Sequence, residues 1–252
     1  MSEGREVPVE KIVVINAKGG SGKTTIAVNL AAAYAAEGKA TTILDLDSQG
    51  SSIRWLGTRP PSSPLIQGIA GYENPPGLTR SWLLRPPKDC DFLIVDTPAA
   101  LDRSSLASVT HGASAVLMPV MSSDIDIHAA VKCISDLMLG MKSSSLMVRV
   151  GIVANRVKTN TRGYQRLQSF LKSLDIPVIS TLRDSQNYAR SVEKGLGLSE
   201  FPHWQVRKDL ESWRVLLQWV ASACEQAPRS RAISLSGRFD HVIDPTVLSR
   251  FQ

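Results

Sequence analysis

The chain has 252 residues and a mass of 27.4 kDa, with 43% hydrophobic and 21% charged residues. This length predicts one α/β domain or at most two small ones, and no apolar run approaches the roughly 18 residues that a membrane-spanning helix needs. The net charge is +6, but residues 1–126 carry 11 basic and 13 acidic side chains, whereas residues 127–252 carry 18 and 10. A basic excess confined to the second half favours a surface that holds a polyanion, with a generally basic protein as the alternative.

Cysteine usage and the start of the chain indicate the compartment. Cys90, Cys133 and Cys224 are an odd number without metal-ligand spacing, so they predict neither a disulfide framework nor a zinc site. The first ten residues are polar and acidic, where a signal peptide needs a basic start and an apolar stretch. These features predict a cytoplasmic protein without membrane insertion.

Apolar runs alternate with helical periods from residue 11 onward, which is the pattern of βαβ units around a parallel sheet. The runs are short and apolar on both faces, as strands covered by helices on both sides must be. They predict strands over residues 11–16, 41–46, 91–96, 114–120, 147–154 and 177–181. Helices are predicted over residues 23–37, 101–111, 124–141, 160–174, 185–194 and 205–225.

Two stretches interrupt this alternation. Residues 58–88 hold seven of the fourteen prolines, which disfavours a long helix or a central strand and predicts a surface connection. Residues 226–252 carry Arg, Ser and Pro with little periodicity, which predicts a flexible tail. The domain plan is therefore an extension over 1–10, one α/β domain over 11–225 and a tail over 226–252.

A glycine-rich loop lies between the first predicted strand and the first predicted helix. Its glycines let several backbone N–H groups point at one anion, and the helix that follows adds the positive end of its dipole. Lys23 is expected to reach the β- and γ-phosphates of a nucleotide, and the Thr24 hydroxyl to ligate Mg²⁺. The residues predicted to bind the nucleotide here are Gly19, Gly20, Ser21, Gly22, Lys23, Thr24 and Thr25.

The loop departs from the ordinary G-x-x-x-x-G-K-[ST] pattern, because alanine stands at position 17 and a lysine at position 18. This KGGxGKT form resembles the deviant Walker A motif of the ParA/MinD family of ATPases. Residues 45–49, DLDSQ, resemble the family's D-x-D-P-Q motif with serine in place of proline, and residues 93–98, LIVDTP, resemble its Walker B strand. Matching motifs cover about residues 11–200, so the chain is identified as a member of that family. The fold expected is a P-loop NTPase with a mostly parallel, twisted sheet and helices on both faces.

The resemblance implies ATP and Mg²⁺ as cofactors, with Lys23 and Thr24 clamping the phosphates and the metal. It implies that Asp96 holds a metal-bound water, that Asp47 orients the attacking water, and that Asp45 supports the magnesium shell. Asp45 and Asp47 stand at i and i+2, which puts both carboxylates on one face of a strand. A turn at the strand end is the alternative for this pair.

Lys18 carries the most specific implication of the resemblance. In proteins similar to this one, the signature lysine crosses a dimer interface and contacts the nucleotide of the opposite subunit. The chain is therefore expected to form an ATP-dependent homodimer, in which Lys18, Lys23 and Asp47 are the catalytic residues. Asp124 and Asp126, after the fourth predicted strand, are further candidates for that interface.

Adenine recognition is expected near Asn155 and Arg156, which the prediction places at the end of the fifth strand. In the family, an asparagine there contacts the adenine edge, and Arg156 is positioned to pack on the ring. Leu182 and Arg183 resemble the family's other adenine-side segment. A polar cap of the strand end is the alternative for Asn155.

ParA-like members bind DNA non-specifically through basic residues of the C-terminal half, where this chain has its basic excess. The resemblance then implies a slow ATPase on the nucleoid that positions or segregates a plasmid, a chromosome locus or a protein cargo such as a carboxysome. A ParB-like partner is expected to stimulate its hydrolysis. The alternatives are a MinD-like membrane-associated positioning ATPase and an ATP-dependent ligase of the dethiobiotin-synthetase type. The DNA-binding candidates, chosen by charge and region, are Lys172, Arg183, Arg190, Lys194, Arg207, Lys208 and Arg214.

Overall fold

Seven strands pair in parallel in the order β3-β2-β4-β1-β5-β6-β7. The computed structural model describes residues 8–73, 79, 84–99, 101–141, 149–172 and 176–227. The strands are β1 (Glu10–Val14), β2 (Thr41–Asp45), β3 (Ile66–Ala70), β4 (Phe92–Asp96), β5 (Ala115–Val120), β6 (Arg149–Val157) and β7 (Val178–Arg183). The helices are α1 (Lys23–Ala36), α2 (Ser51–Gly57), α3 (Arg103–Thr110), α4 (Asp124–Met141), α5 (Arg162–Lys172), α6 (Gln186–Lys194) and α7 (His203–Glu225), with a 3-10 turn at Leu198–Glu200.

Strand β1 shows why the sheet is covered on both faces. Its side chains alternate, so Ile12 and Val14 face a core built with α1 and α7, whereas Val13 and Ile15 face a core built with α3, α4 and α5. All four side chains are fully buried. Residues 12–15 are apolar because neither face of the sheet meets water here, which is the rule for parallel sheets.

The last helix, α7, packs on the first of these cores. Val206, Trp213 and Val220 are buried, with Leu210 and Leu217 partly buried beside them. These residues recur at spacings of three and four and form an apolar stripe along α7, which packs against the core. Among the described residues, no helix is both long and apolar enough to span a membrane.

The predicted fold class is confirmed, and the differences concern the ends and edges of the sheet. Three short elements were not predicted: helix α2, strand β3 inside the proline-rich segment, and the 3-10 turn at Leu198–Glu200. Strand β3 pairs only with β2 and lies at the edge of the sheet, where a neighbouring proline removes no ladder hydrogen bond. Strand β6 continues to Val157 instead of ending at residue 154. Residues 1–7 and 228–252 of the predicted extension and tail lie outside the described residues.

Lys11 in β1 is a charged residue that is buried in the sheet. It is 2% exposed, and its amine donates a hydrogen bond of 3.0 Å to the carbonyl oxygen of His111. Burial lowers the pKa of Lys11 from 10.5 to about 8. The folded state therefore favours the neutral amine, whereas the unfolded chain keeps the proton up to its ordinary pKa.

The free energy of unfolding is therefore expected to rise with pH between about 8 and 10.5, because the unfolded state binds more protons in that window. The slope from this one group is at most about 1.4 kcal/mol per pH unit. The variant Lys11→Met should lose this dependence, and Lys39→Met, at an exposed lysine, should keep it. Urea unfolding at pH 7, 8, 9 and 10 measures the difference; parallel pH curves for wild type and Lys11→Met would contradict the assignment.

Candidate functional site

The loop between β1 and α1 lies at the carboxyl edge of the sheet and is shaped by its glycines. Gly20 and Gly22 have φ angles of 75° and 96°, a region that residues with a side chain rarely adopt. A Cβ on Gly22 would overlap the side-chain amide of Asn155, whereas a Cβ on Gly19 or Gly20 would meet nothing within 4 Å. Asn155 therefore fills the space beside Gly22, at the start of α1, whereas the space beside Gly19 and Gly20 is empty. This is the geometry of an anion-binding loop at a helix N-terminus.

Two asparagines fix this loop from the neighbouring strands. The Asn16 amide donates to the carbonyl oxygen of Pro119 in β5 at 2.5 Å, and its oxygen accepts the Lys18 N–H at 2.9 Å. The Asn155 amide donates to the carbonyl oxygen of Ser21 at 2.8 Å. Both asparagines are at least 96% buried, so these hydrogen bonds are shielded from water. Sequence reasoning missed Asn16, whose only signal is a polar residue directly after an apolar strand.

Lys23 spans the loop from the first turn of α1. Its amine donates to the carbonyl oxygen of Lys18 at 3.2 Å. Burial lowers the pKa of Lys23, and the charges of Asp96 and Asp47 oppose that shift. The structure therefore brings the predicted phosphate-binding lysine and two of the predicted acidic residues together in one electrostatic cluster.

The ends of β2 and β4 bring Asp45 and Asp96 side by side, since the two residues pair in the sheet register. Both are buried, and burial raises the pKa of Asp96 to about 6, while the nearby hydroxyls of Ser52 and Thr24 lower it. Oδ2 of Asp96 accepts a hydrogen bond of 2.7 Å from the Ser52 hydroxyl. Oδ1 of Asp96 has no hydrogen-bond donor among the described residues.

These residues fit a magnesium ion that arrives with a nucleotide. A buried carboxylate oxygen without a donor and the Thr24 hydroxyl are the oxygen ligands that Mg²⁺ prefers, directly or through water. In the described part of the chain, no group of three or more His, Cys, Asp or Glu side chains is placed to hold a metal on its own. Most ligands would therefore be phosphate oxygens and water.

Asp45 and Asp47 differ in their surroundings. The Asp45 carboxylate accepts the backbone N–H groups of Asp47, Ser52 and Ile53 at 3.0, 3.0 and 3.3 Å, so it caps the start of α2. Asp47 is half-buried, and its carboxylate accepts the N–H of Gln49 at 3.0 Å. The turn at the strand end is thus present, and Asp47 is the more accessible of the two carboxylates.

Lys18 pairs within its own chain. Its amine lies 2.6 Å from Asp126 at the start of α4; the Lys18 side chain is 32% exposed and that of Asp126 2%. The Ser123 hydroxyl donates to the other oxygen of Asp126. Asp124 faces a different way and pairs with Arg166 of α5 at 2.9 Å. The two acids therefore do not form one surface: Asp126 belongs to the loop, and Asp124 to the α4–α5 contact.

Strand β6 bulges at Asn155 and Arg156. The register passes from Ala154 opposite Thr181 to Val157 opposite Arg183, so β6 has one residue more than β7. Arg156 has a φ of 50°, and its N–H donates to the Asn155 side chain at 3.0 Å. A bulge re-aims the side chains it contains, and here it turns Asn155 toward the glycine loop.

Arg183, at the end of β7, is held by a buried carboxylate of α7. Its Nε and Nη2 donate to Asp209 at 2.5 and 2.9 Å, and this pairing raises the pKa of Arg183. Ser185 and Asn187, at the start of α6, also donate to Asp209, at 3.2 and 2.7 Å. Sequence reasoning missed Asp209 because one acid among many on a helix has no distinguishing pattern.

The remaining predicted residues lie apart from the loop. Leu182 is buried in the core with α1 and α7. The other DNA-binding candidates are exposed and lie at the end of α5 (Lys172), on α6 (Arg190 and Lys194) and on α7 (Arg207, Lys208 and Arg214).

A glycine loop between the central strand and a helix, followed by Lys-Thr and facing a buried strand-end aspartate, defines a P-loop nucleotide-binding protein. Residues 12–198 match the family model of the CobQ/CobB/MinD/ParA nucleotide binding domain. The chain belongs to this family and is a ParA/MinD-type P-loop ATPase.

Three similar proteins describe this relationship. The chain is 31% identical over 194 residues to a maintenance of carboxysome distribution protein A from Gloeobacter kilaueensis, covering 75% of this chain and 84% of that protein. The apo McdA structure from Cyanothece superposes with a TM-score of 0.65 at 17% identity, covering 85% of this chain and 99% of that one. A chain of the MinC:MinD cell division protein complex of Aquifex aeolicus gives a TM-score of 0.61 at 16% identity, covering 89% of this chain and 99% of that one. The two structural likenesses support the fold.

The contact between Asn155 and Ser21 predicts what happens when the amide is removed. Asn155→Ala should loosen the glycine loop and therefore weaken binding of both ATP and GTP, by about tenfold for the one buried hydrogen bond that is lost. Fluorescence titration with labelled ATP and GTP measures both affinities, with Asn160→Ala, at an exposed asparagine, as a control. A loss confined to the adenine nucleotide would contradict the loop-holding role and assign Asn155 to the base.

Proposed function

We propose that this protein is a ParA-type ATPase that forms an ATP-dependent dimer, binds DNA non-specifically and positions or segregates a cargo. The observation that carries the proposal is Lys18, a partly exposed cation at the rim of the phosphate loop, beside the nucleotide cluster of Lys23 and Asp96. A lysine that bound only the nucleotide of its own chain could be buried in the site, whereas the Lys18 side chain keeps part of its surface in solvent. Its position suits contact with a second, anionic surface.

In this proposal, the loop residues Gly19 to Thr25 bind the phosphates of ATP through their N–H groups and the Lys23 amine. Mg²⁺, when bound, would supply positive charge beside the β- and γ-phosphates. The Thr24 hydroxyl would be its protein ligand, Asp96 would hold a water bound to it, and Asp45 would support the site indirectly by capping the start of α2. Asp47, the accessible carboxylate, orients the attacking water.

Adenine binding is proposed at the segment formed by the β6 bulge and the end of β7. One hydrogen of the Asn155 amide contacts the Ser21 carbonyl, which leaves the other for a base edge. Arg156 is exposed, and its guanidinium lies 3.6 Å from Asp184, so it can turn onto a ring. The backbone of Leu182 and Arg183 is proposed to form the other side of this pocket, because the Leu182 side chain is buried in the core.

The dimer requires Lys18 to change partners. In the single chain it pairs with Asp126, and in the dimer it is proposed to contact the nucleotide bound by the partner subunit. ATP carries more negative charge than ADP because of its γ-phosphate. ATP bound by the partner subunit therefore competes with Asp126 for Lys18 better than ADP does. This difference makes the dimer dependent on ATP.

Removing the lysine should therefore separate ATP binding from dimerisation. Lys18→Ala is expected to bind ATP but stay monomeric, whereas Asp47→Ala is expected to dimerise and turn over ATP at least a hundredfold more slowly, since it loses the water-orienting group. Sedimentation velocity with ATP and with ADP measures the assembly, and phosphate release measures turnover. A dimer of unchanged affinity in Lys18→Ala would contradict the proposal.

DNA binding is proposed on the surface of α6 and α7. The two helices lie side by side, because the Asn187 amide donates to the Gln205 carbonyl at 3.2 Å and the Trp213 indole donates to the Tyr188 hydroxyl at 3.0 Å. Trp204, at the start of α7, is 82% exposed. An exposed indole among cations suits a nucleic-acid surface, where it contacts sugars or bases between phosphate contacts. The exposed cations of this surface are Arg190, Lys194, Arg207, Lys208 and Arg214.

Salt dependence tests this surface. Retention on non-specific double-stranded DNA should require ATP and fall steeply with salt, and each phosphate contact adds about 0.9 to the log–log slope. The double variant Arg207→Ala/Lys208→Ala should lower that slope by about 2, whereas Trp204→Ala should weaken binding at all salt concentrations with the slope unchanged. Lys39→Ala, on the connection between α1 and β2, is the control. Retention that is independent of ATP or of salt would contradict DNA binding.

The cargo is proposed from the relatives. Two of them are named as maintenance of carboxysome distribution proteins A, which favours a protein cargo such as a carboxysome over a plasmid or chromosome locus. Hydrolysis is proposed to be slow alone and stimulated by a ParB-like partner encoded near the cargo genes. The protein would then act in the cytoplasm, on the nucleoid. ATPase activity that rises with DNA and a partner, without any carboxylate or amine substrate, distinguishes this function from a ligase.

A further inference from the structure

Ser52 is a fully buried residue that donates a hydrogen bond to each of the two strand-end carboxylates. It is the second residue of α2, and its backbone N–H donates to Asp45 at 3.0 Å. Its hydroxyl donates to Oδ2 of Asp96 at 2.7 Å. A short helix at the end of β2 is thus joined to the end of β4 by one side chain.

This contact determines which oxygen of Asp96 is used. The Ser52 hydroxyl occupies Oδ2, while Oδ1 has no donor among the described residues and the Thr24 hydroxyl lies near the carboxylate. A carboxylate held at one oxygen loses its freedom to rotate, and the other oxygen is presented in one orientation. The direction of Asp96 therefore depends on a residue that lies outside the three motifs of the nucleotide site.

Helix α2 also connects this contact to the segment that carries Asp47. Gly50, with a φ of 60°, begins the helix directly after the turn at Asp47, and the Gly50 N–H donates to the Asp47 carbonyl at 2.8 Å. A movement of the Asp47 turn would move the start of α2 and with it the Ser52 hydroxyl. The Asp47 turn and Asp96 are thus joined through Gly50, the N-cap of α2, and Ser52, its second residue.

We propose that Ser52 is a positioning residue that orients Asp96 toward the magnesium ion of the bound nucleotide and links that orientation to the Asp47 segment. Ser52 acts through Asp96 and does not itself contact the nucleotide. The inference rests on the proposed function, because it presupposes that the site binds Mg-ATP. Loss of a partner of this kind lowers metal affinity by about 10- to 100-fold.

Two substitutions at position 52 separate hydrogen bonding from packing. Ser52→Ala removes the hydroxyl, and Ser52→Cys keeps nearly the same volume but replaces the hydroxyl by a weak S–H donor. Ser51→Ala is the matched control, because the Ser51 hydroxyl lies on the same helical turn and accepts from Arg54 at 3.1 Å, away from Asp96.

The readout is the Mg²⁺ concentration at half-saturation, measured by titrating Mg²⁺ into the protein with bound fluorescent ATP. The second readout is the affinity for the same nucleotide in EDTA, which reports the loop and the fold without the metal. Ser52→Ala should raise the half-saturating Mg²⁺ concentration by about 10- to 100-fold, Ser52→Cys should raise it by a smaller factor, and Ser51→Ala should leave it unchanged. In EDTA, all three variants should stay within about twofold of wild type, since the loop is unaltered.

Three results would overturn the inference. The first is a wild-type Mg²⁺ response in Ser52→Ala. The second is a wild-type Mg²⁺ response in Ser52→Cys while Ser52→Ala is impaired, which would show that only side-chain volume matters. The third is an equal loss of nucleotide affinity in Ser52→Ala with and without Mg²⁺, which would show a purely structural role. Failure of the nucleotide site itself has a different signature, because wild-type protein would then not bind fluorescent ATP at all. Failure of dimerisation or DNA binding would leave the Mg²⁺ titrations of wild type and the three variants unchanged.

Discussion

The parallel pairing of β1 with β4, and of β4 with β2, is the constraint on which the site depends. It places the loop that follows Val14 next to Asp96, and Asp96 next to Asp45, all at one edge of the sheet. No hydrogen bond between these side chains is needed to bring them together, since the backbone ladder does so. This arrangement buries two carboxylates, and the loss of hydration raises the pKa of both. Backbone N–H groups that donate to Asp45, and hydroxyls close to Asp96, partly offset that effect.

The loop itself depends on contacts from the other half of the sheet. Asn16 is tied to β5 and Asn155 to the loop from β6, so the anion-binding segment is fixed between two strands that follow it in the chain by about a hundred residues or more. Gly22 is required here on two grounds, its left-handed backbone and the amide of Asn155 where a Cβ would stand. Such preorganisation means that phosphate binding does not have to be accompanied by ordering of the loop.

The sequence predicted the features that depend on local patterns. Strand β1, the loop and α1 are consecutive, and the apolar runs and glycine spacing that encode them are visible without a structure. Helix α2 could not be predicted in this way, because its seven residues contain no apolar repeat and its start is capped by Asp45 from the preceding strand. The bulge in β6 was missed for a similar reason, since it follows from how β6 and β7 fit side by side. Asn16, Ser52 and Asp209 are single polar residues whose partners lie far away in the chain, and no spacing rule identifies them.

Asp209 joins three elements through one carboxylate: Arg183 at the end of β7, Asn187 in α6, and α7, which carries it. Its burial makes exchange of these partners for water costly, so the end of β7 and the two helices behave as a rigid block. The end of β7 pairs through its backbone with the bulged end of β6, which contacts the glycine loop through Asn155, while exposed cations lie on the two helices. Because Asp209 joins these elements, the exposed cations on the two helices keep their spacing when the block moves. Any signal from the nucleotide would reach that surface as a reorientation of the entire block, without remodelling of the helices.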